Sequence, residues 1–475
     1  MNVETILIIT ALSVSFYMAW NIGANDVANA MGTSVGSGAL TLKQAILVAA
    51  VMEFAGAFLV GSHVTDTVRK GIVDPSLFSD NPNCYIYGML AALMAAGTWL
   101  NFASYRGWPV STTHSIVGSV LGFGIISGGS SSIHWDKVSQ IAASWVISPL
   151  LSGTISFLIF CLLRKVIFYS ATPVKSAKRL TPFLVFFVLG ILTLVLVFKG
   201  LKNLHLDLSL THALILASLV GLSGALISIP LVNKINESQR QHGGSELIDP
   251  KVKRSMKKVT MHLRKAKDSV TGELSDEIAN LLTKTEKISD RFGKFFETKH
   301  ISKEYQTVEK IFVYLQILSA CFVAFAHGAN DVANAIGPLA GVLSTIKSGI
   351  VGVKAEVPIL VLLLGGIGII VGLATWGWRV IATIGNQITE LTPTRGFSAE
   401  FGAAITIVLA SKLALPVSTT HTLVGAVLGV GMARGFTSLN LRTIRDILIS
   451  WVITIPAGAL LTAVFYYVIK TLFSL

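Results

Sequence analysis

Two short polar clusters stand in apolar surroundings and carry the chemistry open to this chain. The first is Gly23-Ala24-Asn25-Asp26-Val27-Ala28-Asn29-Ala30, at the end of an apolar run. On a helix Asn25 and Asn29 share a face at i, i+4 spacing, with Asp26 beside them. A carboxylate flanked by amide carbonyls is a hard-oxygen set suited to a small cation. The small neighbours Gly23, Ala24, Ala28 and Ala30 let a second backbone approach. An ionisable side chain inside a span is costly and marks a functional position by default. The plainer alternative is that these groups only join helices by hydrogen bonds.

The second cluster is Pro109-Val110-Ser111-Thr112-Thr113-His114, followed by an apolar stretch studded with glycine. It reads as a helix start. Ser or Thr can cap the first turn, and the free N–H groups and positive dipole end there form an anion site. An ordinary cap that binds nothing is the alternative for any single Ser-Thr-Thr. His114 is expected to support such a site rather than touch an ion, although a histidine can also relay protons. A Ser/His/Asp hydrolase built from Ser111, His114 and Asp26 is disfavoured, because Ser and His lie three apart on one segment and no nucleophile elbow is present.

Both clusters occur twice. Gly328-Ala329-Asn330-Asp331-Val332-Ala333-Asn334-Ala335 repeats the first without change, and Pro416-Val417-Ser418-Thr419-Thr420-His421 repeats the second. A third block, Ser144-Trp145-Val146-Ile147, returns as Ser450-Trp451-Val452-Ile453, in the same order and at nearly constant offset. This is duplication. Two further acids, Glu53 and Glu400, lie in apolar runs and break the symmetry: Leu93 stands where Glu400 would fall in the first half, and the 362–368 stretch matching Glu53 holds no acid. They are candidates for the coupling ion. Pairing with Arg69, Lys70, Arg379, Lys412 or a nearby amide is the alternative.

The elements that must position these residues are membrane spans. The chain has 475 residues, 52% hydrophobic and 13% charged, and its mean hydropathy is +0.68. Spanning about 30 Å of hydrocarbon takes about 20 residues. Runs of that kind lie near 4–22, 43–62, 84–104, 138–163, 182–198, 210–232, 310–327, 357–383, 398–415 and 446–472. The first leads straight into a polar motif without a basic flank or cleavage site, which predicts a retained span. The expected domains are a first repeat (1–163), two linking spans (164–233), a polar insert (234–309) and a second repeat (310–475).

The net charge of +13 is concentrated between spans, in Arg164–Arg179 and in the insert. Two hydrophobic runs separate these stretches, so they share a side, and the positive-inside rule makes it cytoplasmic. Nucleic acid is not an expected partner. The insert reads mainly as a solvated linker, although the 276–296 stretch has an apolar face that could cover a surface or a partner. Cys84, Cys161 and Cys321 form no CxxC pattern and predict neither a disulfide framework nor a metal site. Whether the repeats are parallel or inverted depends on whether the 109–124 segment crosses the membrane or re-enters it, a parity that hydropathy leaves open.

The two motifs contain carboxylates but no Lys or Arg. An anion beside them is repelled unless a cation arrives with it, which favours symport. With its paired GANDxANA signatures and paired P-[IV]-S-x-T-H loops, the chain resembles the inorganic phosphate transporter (PiT) family. The resemblance extends to Thr67–Ile72 and Ser144–Gly153 but not to the insert.

Members of that family take up phosphate with sodium, with protons or as a metal–phosphate complex, and the GANDVANA form and Glu53 resemble the sodium-coupled branch. The resemblance implies an all-α polytopic membrane protein of about 10–12 segments, of the length that spans require, with inverted repeats and broken or re-entrant helices meeting at a midplane site. It also implies a plasma-membrane location, with both termini outside and the insert cytoplasmic. Phosphate would meet Ser111, Thr112, Thr113, Ser418, Thr419 and Thr420, with Asn25 and Asn330. Sodium would meet Asp26, Asn29, Asp331, Asn334, Glu53 and Glu400, with His114 and His421 in support. The expected activity is sodium/phosphate symport and not enzymatic, without a resident cofactor. The expected partners are phosphate, sodium and lipid, with a homodimer as the one assembly entertained. Proton coupling, sulfate as the anion, and a phosphate sensor that does not transport are the alternatives.

Overall fold

The chain, in a computed structural model, is described over residues 3–61, 72–197, 208–235, 250–269, 272–297, 303–352, 357–386, 388–412, 417–435 and 438–473. The first repeat holds α1 (Val3–Gly36), α2 (Leu42–Val60), α3 (Pro82–Tyr105), α4 (Thr112–Gly128) and α5 (Trp135–Leu163). Helices α6 (Pro173–Val195) and α7 (Leu210–Asn233) follow, then α8 (Pro250–Lys267) and α9 (Glu273–Glu297) in the insert. The second repeat holds α10 (Lys303–Ser348), α11 (Ile359–Trp376), α12 (Trp378–Asn386), α13 (Pro393–Lys412), α14 (Thr419–Arg434) and α15 (Leu441–Phe473). Nine of the described helices are long and apolar enough to cross a membrane. The remaining apolar run of the sequence, 398–415, falls on α13 as far as Lys412, and 413–415 lie outside the described residues.

Local chemistry sets the helix starts. Thr41 and Gln44 form a capping box on α2, Asn81 caps α3 ahead of Pro82, and Ser111 and Ser418 cap α4 and α14. Which helices sit inside follows from their faces. Every residue from Asn21 to Ser34 on α1 and from Phe322 to Val342 on α10 is buried, so the two motif helices form the hub. By contrast α5, α7 and α15 turn apolar side chains outward, with Leu150 66%, Leu219 60% and Val452 73% exposed, as helices facing lipid do.

The hub settles the orientation of the repeats. Ser15 Oγ donates to the Ala335 carbonyl (3.1 Å), whereas Asp26, further along α1, meets His327, earlier on α10. The two copies of the motif helix therefore run antiparallel, and the repeats are inverted. Each repeat closes on the other: α1 packs on α11 and α12, α10 on α2, α14 on α5 and α4 on α15.

The first glycine of each motif makes this closeness possible. A Cβ on Gly23 would fall on the Ile369 carbonyl of α11, and one on Gly328 on the Glu53 carbonyl of α2. Helices α3 and α4 form an antiparallel hairpin, since Gly88 early on α3 lies against the Phe123 ring late on α4. The turn of this hairpin, 106–111, faces the hub. Helices α13 and α14 are the corresponding pair in the second repeat, and Pro416 between them lies outside the described residues, as do Thr67–Gly71 with Arg69 and Lys70, and the Lys412 side chain. The apolar-faced 276–296 stretch forms most of α9, which pairs with α8 through Arg264 and Glu286 at 2.7 Å.

Candidate functional site

Inversion brings the two motifs face to face and sets the start of each capped helix across both. Asn29 Nδ2 donates to Asp26 Oδ1 (3.0 Å) and to Thr420 Oγ1 of the other repeat (2.8 Å). Thr420 Oγ1 in turn lies 3.3 Å from Asp26 Oδ1 and 3.2 Å from the Val110 carbonyl, either of which can take its proton. The related contacts run the other way: Asn334 Nδ2 reaches Asp331 Oδ1 (3.3 Å) and the hydroxyls of Thr112 (3.4 Å) and Thr113 (3.5 Å). Thr419 Oγ1 donates to Asp331 Oδ2 at 2.8 Å. Asn25 donates to Ser104 Oγ and to the Trp108 carbonyl on the α3–α4 turn, both at 3.1 Å. Asn330 donates to Asp331 Oδ1 (2.9 Å) and to the Val417 carbonyl (3.4 Å). The four threonines, four asparagines and two aspartates singled out in the sequence thus form one buried constellation.

Ser111 and Ser418 serve as N-caps, accepting from the backbone N–H of His114 and of His421 at 3.1 Å each. The caps occupy a lone pair and leave the hydroxyl proton to donate. Helix geometry also leaves the N–H groups of Thr112, Thr113, Thr419 and Thr420 without intrahelical partners. Each helix start is therefore a set of donors. The interior is the opposite. Among the described residues, Oδ1 of Asn25, Asn29 and Asn330, Oδ2 of Asp26 and both carboxylate oxygens of Glu53 are buried with no donor aligned on them. Buried acceptors without donors are what a cation satisfies.

His327, immediately before the second motif, has no counterpart in the first, where Ile22 stands. Its Nε2 lies 2.8 Å from Asp331 Oδ2 and 3.5 Å from Asp26 Oδ2, and its Nδ1 lies 3.3 Å from Glu53 Oε1. The ring N–H is aimed along none of these, so they are contacts of proximity. Glu53 reaches the constellation through this ring. Asp26, His327 and Asp331 bring ligand atoms within 4.8 Å of one another, the one such group of three among the described residues. Sequence reasoning passed over His327. An ionisable residue directly before one copy of a duplicated motif, where the other copy has an aliphatic one, was the signal available.

Glu400 stands apart. Its carboxylate accepts from Thr33 (2.6 Å), Ser34 (2.7 Å), Gln316 Nε2 (3.2 Å) and Ser319, and Ser37 donates to Gln316 Oε1 at 2.6 Å. Hydroxyls and an amide, rather than Arg379, hold this acid. None of these partners was identified from the sequence. Ala11 and Val14 stand where the repeat would place Gln316 and Ser319, so the cage is one-sided like Glu400 itself.

His114 and His421 lie beside the helix starts, their rings 4.2 Å apart, with Trp145 on the first (3.8 Å) and Trp451 on the second (3.5 Å). The four rings form a contiguous cluster between the repeats, the histidines buried and the tryptophans half-buried, and His421 Nδ1 lies 3.3 Å from the Trp145 carbonyl.

Residues 22–462 match the Phosphate transporter family. The chain is 44% identical over 467 residues to "Inorganic phosphate transporter 2-1, chloroplastic" of Arabidopsis thaliana, a match that covers 98% of this chain and 72% of that one. Among solved structures, "The sodium-dependent phosphate transporter" is similar with a TM-score of 0.80 and 38% identity, over 98% of this chain and 99% of that one.

Proposed function

The chain belongs to the phosphate transporter family of integral membrane proteins, and from that premise we propose that it imports inorganic phosphate together with sodium by alternating access. One observation carries this reading: a buried cluster of acceptor oxygens without donors lies against two helix starts rich in donors. The first calls for cations and the second for an oxyanion. Sodium would be held by Asp26, Asn29, Asp331 and Asn334, with Glu53 nearby, and Glu400 would act from its own cage. Phosphate would take the hydroxyls of Thr112, Thr113, Thr419 and Thr420, the N–H groups of those helix starts, the amides of Asn25 and Asn330, and the free protons of Ser111 and Ser418.

Order follows from charge. At an effective dielectric constant of about 20, two like charges about 4 Å apart repel by about 4 kcal/mol. A phosphate anion facing Asp26, Asp331 and Glu53 is excluded until cations neutralise them. Sodium then creates the anion site and phosphate tightens sodium by the same factor, which is thermodynamic linkage. The inverted repeats offer two related faces, so that rocking one repeat-crossing unit against the other would open the site alternately to either side. By the positive-inside rule the insert, 234–309, would lie on the cytoplasmic side of the cell membrane.

The test is uptake of labelled phosphate into proteoliposomes with and without an inward sodium gradient at fixed pH. Sodium-driven accumulation is expected, together with accelerated exchange when unlabelled phosphate is present on the far side. Uptake that follows a pH gradient and ignores sodium would transfer coupling to protons, with His327 among its carboxylates as the group placed to carry one. Binding without uptake or exchange would identify a sensor instead.

A further inference from the structure

The anion must reach a site whose interior holds carboxylates and no described Lys or Arg, yet the turn that forms one wall of that site carries one arginine and is gripped by a second. Arg106 lies on the α3–α4 turn, between Ser104 and Trp108, the two residues that accept from Asn25. Its guanidinium sits over the Phe102 ring (5.4 Å) and the Trp108 ring (5.9 Å). Arg379, at the start of α12, grips the same turn: its Nη1 donates to the Tyr105 carbonyl at 3.1 Å, and Thr383, one turn on, donates to the Gly107 carbonyl at 2.9 Å. The Arg379 guanidinium is framed by the rings of Tyr105 (5.1 Å), Trp376 (5.4 Å) and Trp378 (5.2 Å).

Neither the exposed Arg106 nor the half-buried Arg379 is in an ion pair among the described residues, whereas Arg395 and Arg434, also half-buried, both contact Glu390. Arg379 Nε is buried with no partner. Two guanidiniums held by aromatic faces, and left without a carboxylate among the described residues, keep their charge and N–H groups to offer, Arg379 having committed one through Nη1 to the Tyr105 carbonyl. A planar fork of that kind matches the oxygens of a phosphate group. Stacking on rings orients each fork without using its N–H groups.

We propose that Arg106 and Arg379 form a station for a phosphate group at the α3–α4 turn, outside the carboxylate-lined centre and on the path of the incoming anion. It rests on the reading of the chain as a phosphate carrier, and it supplies what the centre lacks, a positive field that raises the local anion concentration before sodium-dependent binding. The same chemistry could come from free inorganic phosphate or from a lipid headgroup, because Tyr and Trp beside Arg also suit a membrane interface. The free anion is the source favoured by the direct link through Asn25 to the centre.

The experiment compares wild type with Arg106→Gln, Arg379→Gln and the double variant, each reconstituted at matched protein content. Initial uptake is measured over a range of phosphate, at fixed sodium and at two ionic strengths set with choline chloride. For the double variant the expected result is about a tenfold loss of uptake at low phosphate, within the range that electrostatic focusing supplies. That loss should come from a raised KM, with maximal rate within about twofold of wild type, and should shrink at high ionic strength. Arg→Lys should restore charge and therefore most of the loss at low salt.

Parallel vesicles of phosphatidylcholine with and without phosphatidylglycerol separate the sources. A defect that is the same in both assigns the station to the free anion. A defect present only with phosphatidylglycerol, with KM unchanged, assigns it to lipid. Variants with wild-type KM and salt dependence in both vesicles overturn the proposal while leaving phosphate transport standing. Absence of sodium- or proton-driven phosphate uptake by wild type would instead overturn the transport reading.

Discussion

Replacing Asp331 with asparagine removes one negative charge from the centre while keeping size and shape. The carboxylate accepts from Asn330, Asn334 and Thr419 and lies against His327. A sodium ion about 4 Å from it gains about 4 kcal/mol at an effective dielectric constant of about 20. Since each 1.4 kcal/mol is about tenfold, the predicted loss of sodium affinity is about a thousandfold. The new amide also turns an NH2 group toward donors, which adds about 1–3 kcal/mol of unsatisfied polarity. Linkage then weakens phosphate, by up to the sodium–phosphate coupling factor, at any sodium concentration that no longer saturates.

The assay is the sodium dependence of labelled phosphate uptake in proteoliposomes, read beside sodium-dependent thermal stabilisation of the purified variant. The expected result is a folded, inserted protein without sodium-driven uptake, whose melting temperature no longer responds to sodium. An Asp331→Asn variant whose half-saturating sodium concentration stays within about threefold of wild type would refute the electrostatic account, because that shift is worth under about 1 kcal/mol.

Further outcomes follow from the same geometry. Thr420→Val removes a hydroxyl that serves Asn29, Asp26 and the Val110 carbonyl, and should raise the KM for phosphate about 10- to 100-fold, the scale of losing one or two buried hydrogen bonds, while Thr420→Ser retains most activity. Glu400→Gln sets an NH2 group among four donors and should destabilise the protein by about 1–3 kcal/mol, visible as a lower melting temperature in detergent; an unchanged melting temperature would contradict the cage. Gly23→Ala drives a methyl into the Ile369 carbonyl and should cost about 1–3 kcal/mol or block folding. Gly190→Ala, whose Cβ would meet only the Ala217 carbonyl at 3.6 Å, should be neutral or stabilising by up to about 1 kcal/mol, as judged by relative yield and melting temperature.

Much of the site was legible because it is written twice. A polar cluster in an apolar run is ambiguous once, but its identical return at Asn330-Asp331 and Ser418-Thr419-Thr420 separates a functional set from an incidental helix join. The helix starts were legible from Ser111 and Ser418, because capping is local chemistry. The roles of Glu53 and Glu400 were not, since each depends on what another segment brings. Glu53 faces His327 from α10, and Glu400 faces Thr33 and Ser34 of α1 with Gln316 and Ser319 of α10. Arg379, a candidate partner for either acid by composition, instead grips the α3–α4 turn.

The sequence by itself determined the lipid environment, the helical elements, the duplication and the residue types of the site, because hydropathy, capping and repetition are properties of short stretches. Tertiary structure decided the orientation of the repeats. Five apolar or hairpin-forming segments before Arg164 allow either parity, and only the opposed contacts of Ser15 with Ala335 and of Asp26 with His327 show that α1 and α10 run antiparallel. Inversion is what sets Thr420 against Asn29 and Thr112 against Asn334, residues 391 and 222 positions apart in the sequence. The physical reason is that a span carries no record of its neighbours: lipid is as apolar as leucine, so packing is chosen by close approach at a few glycines and by polar groups that must find partners inside.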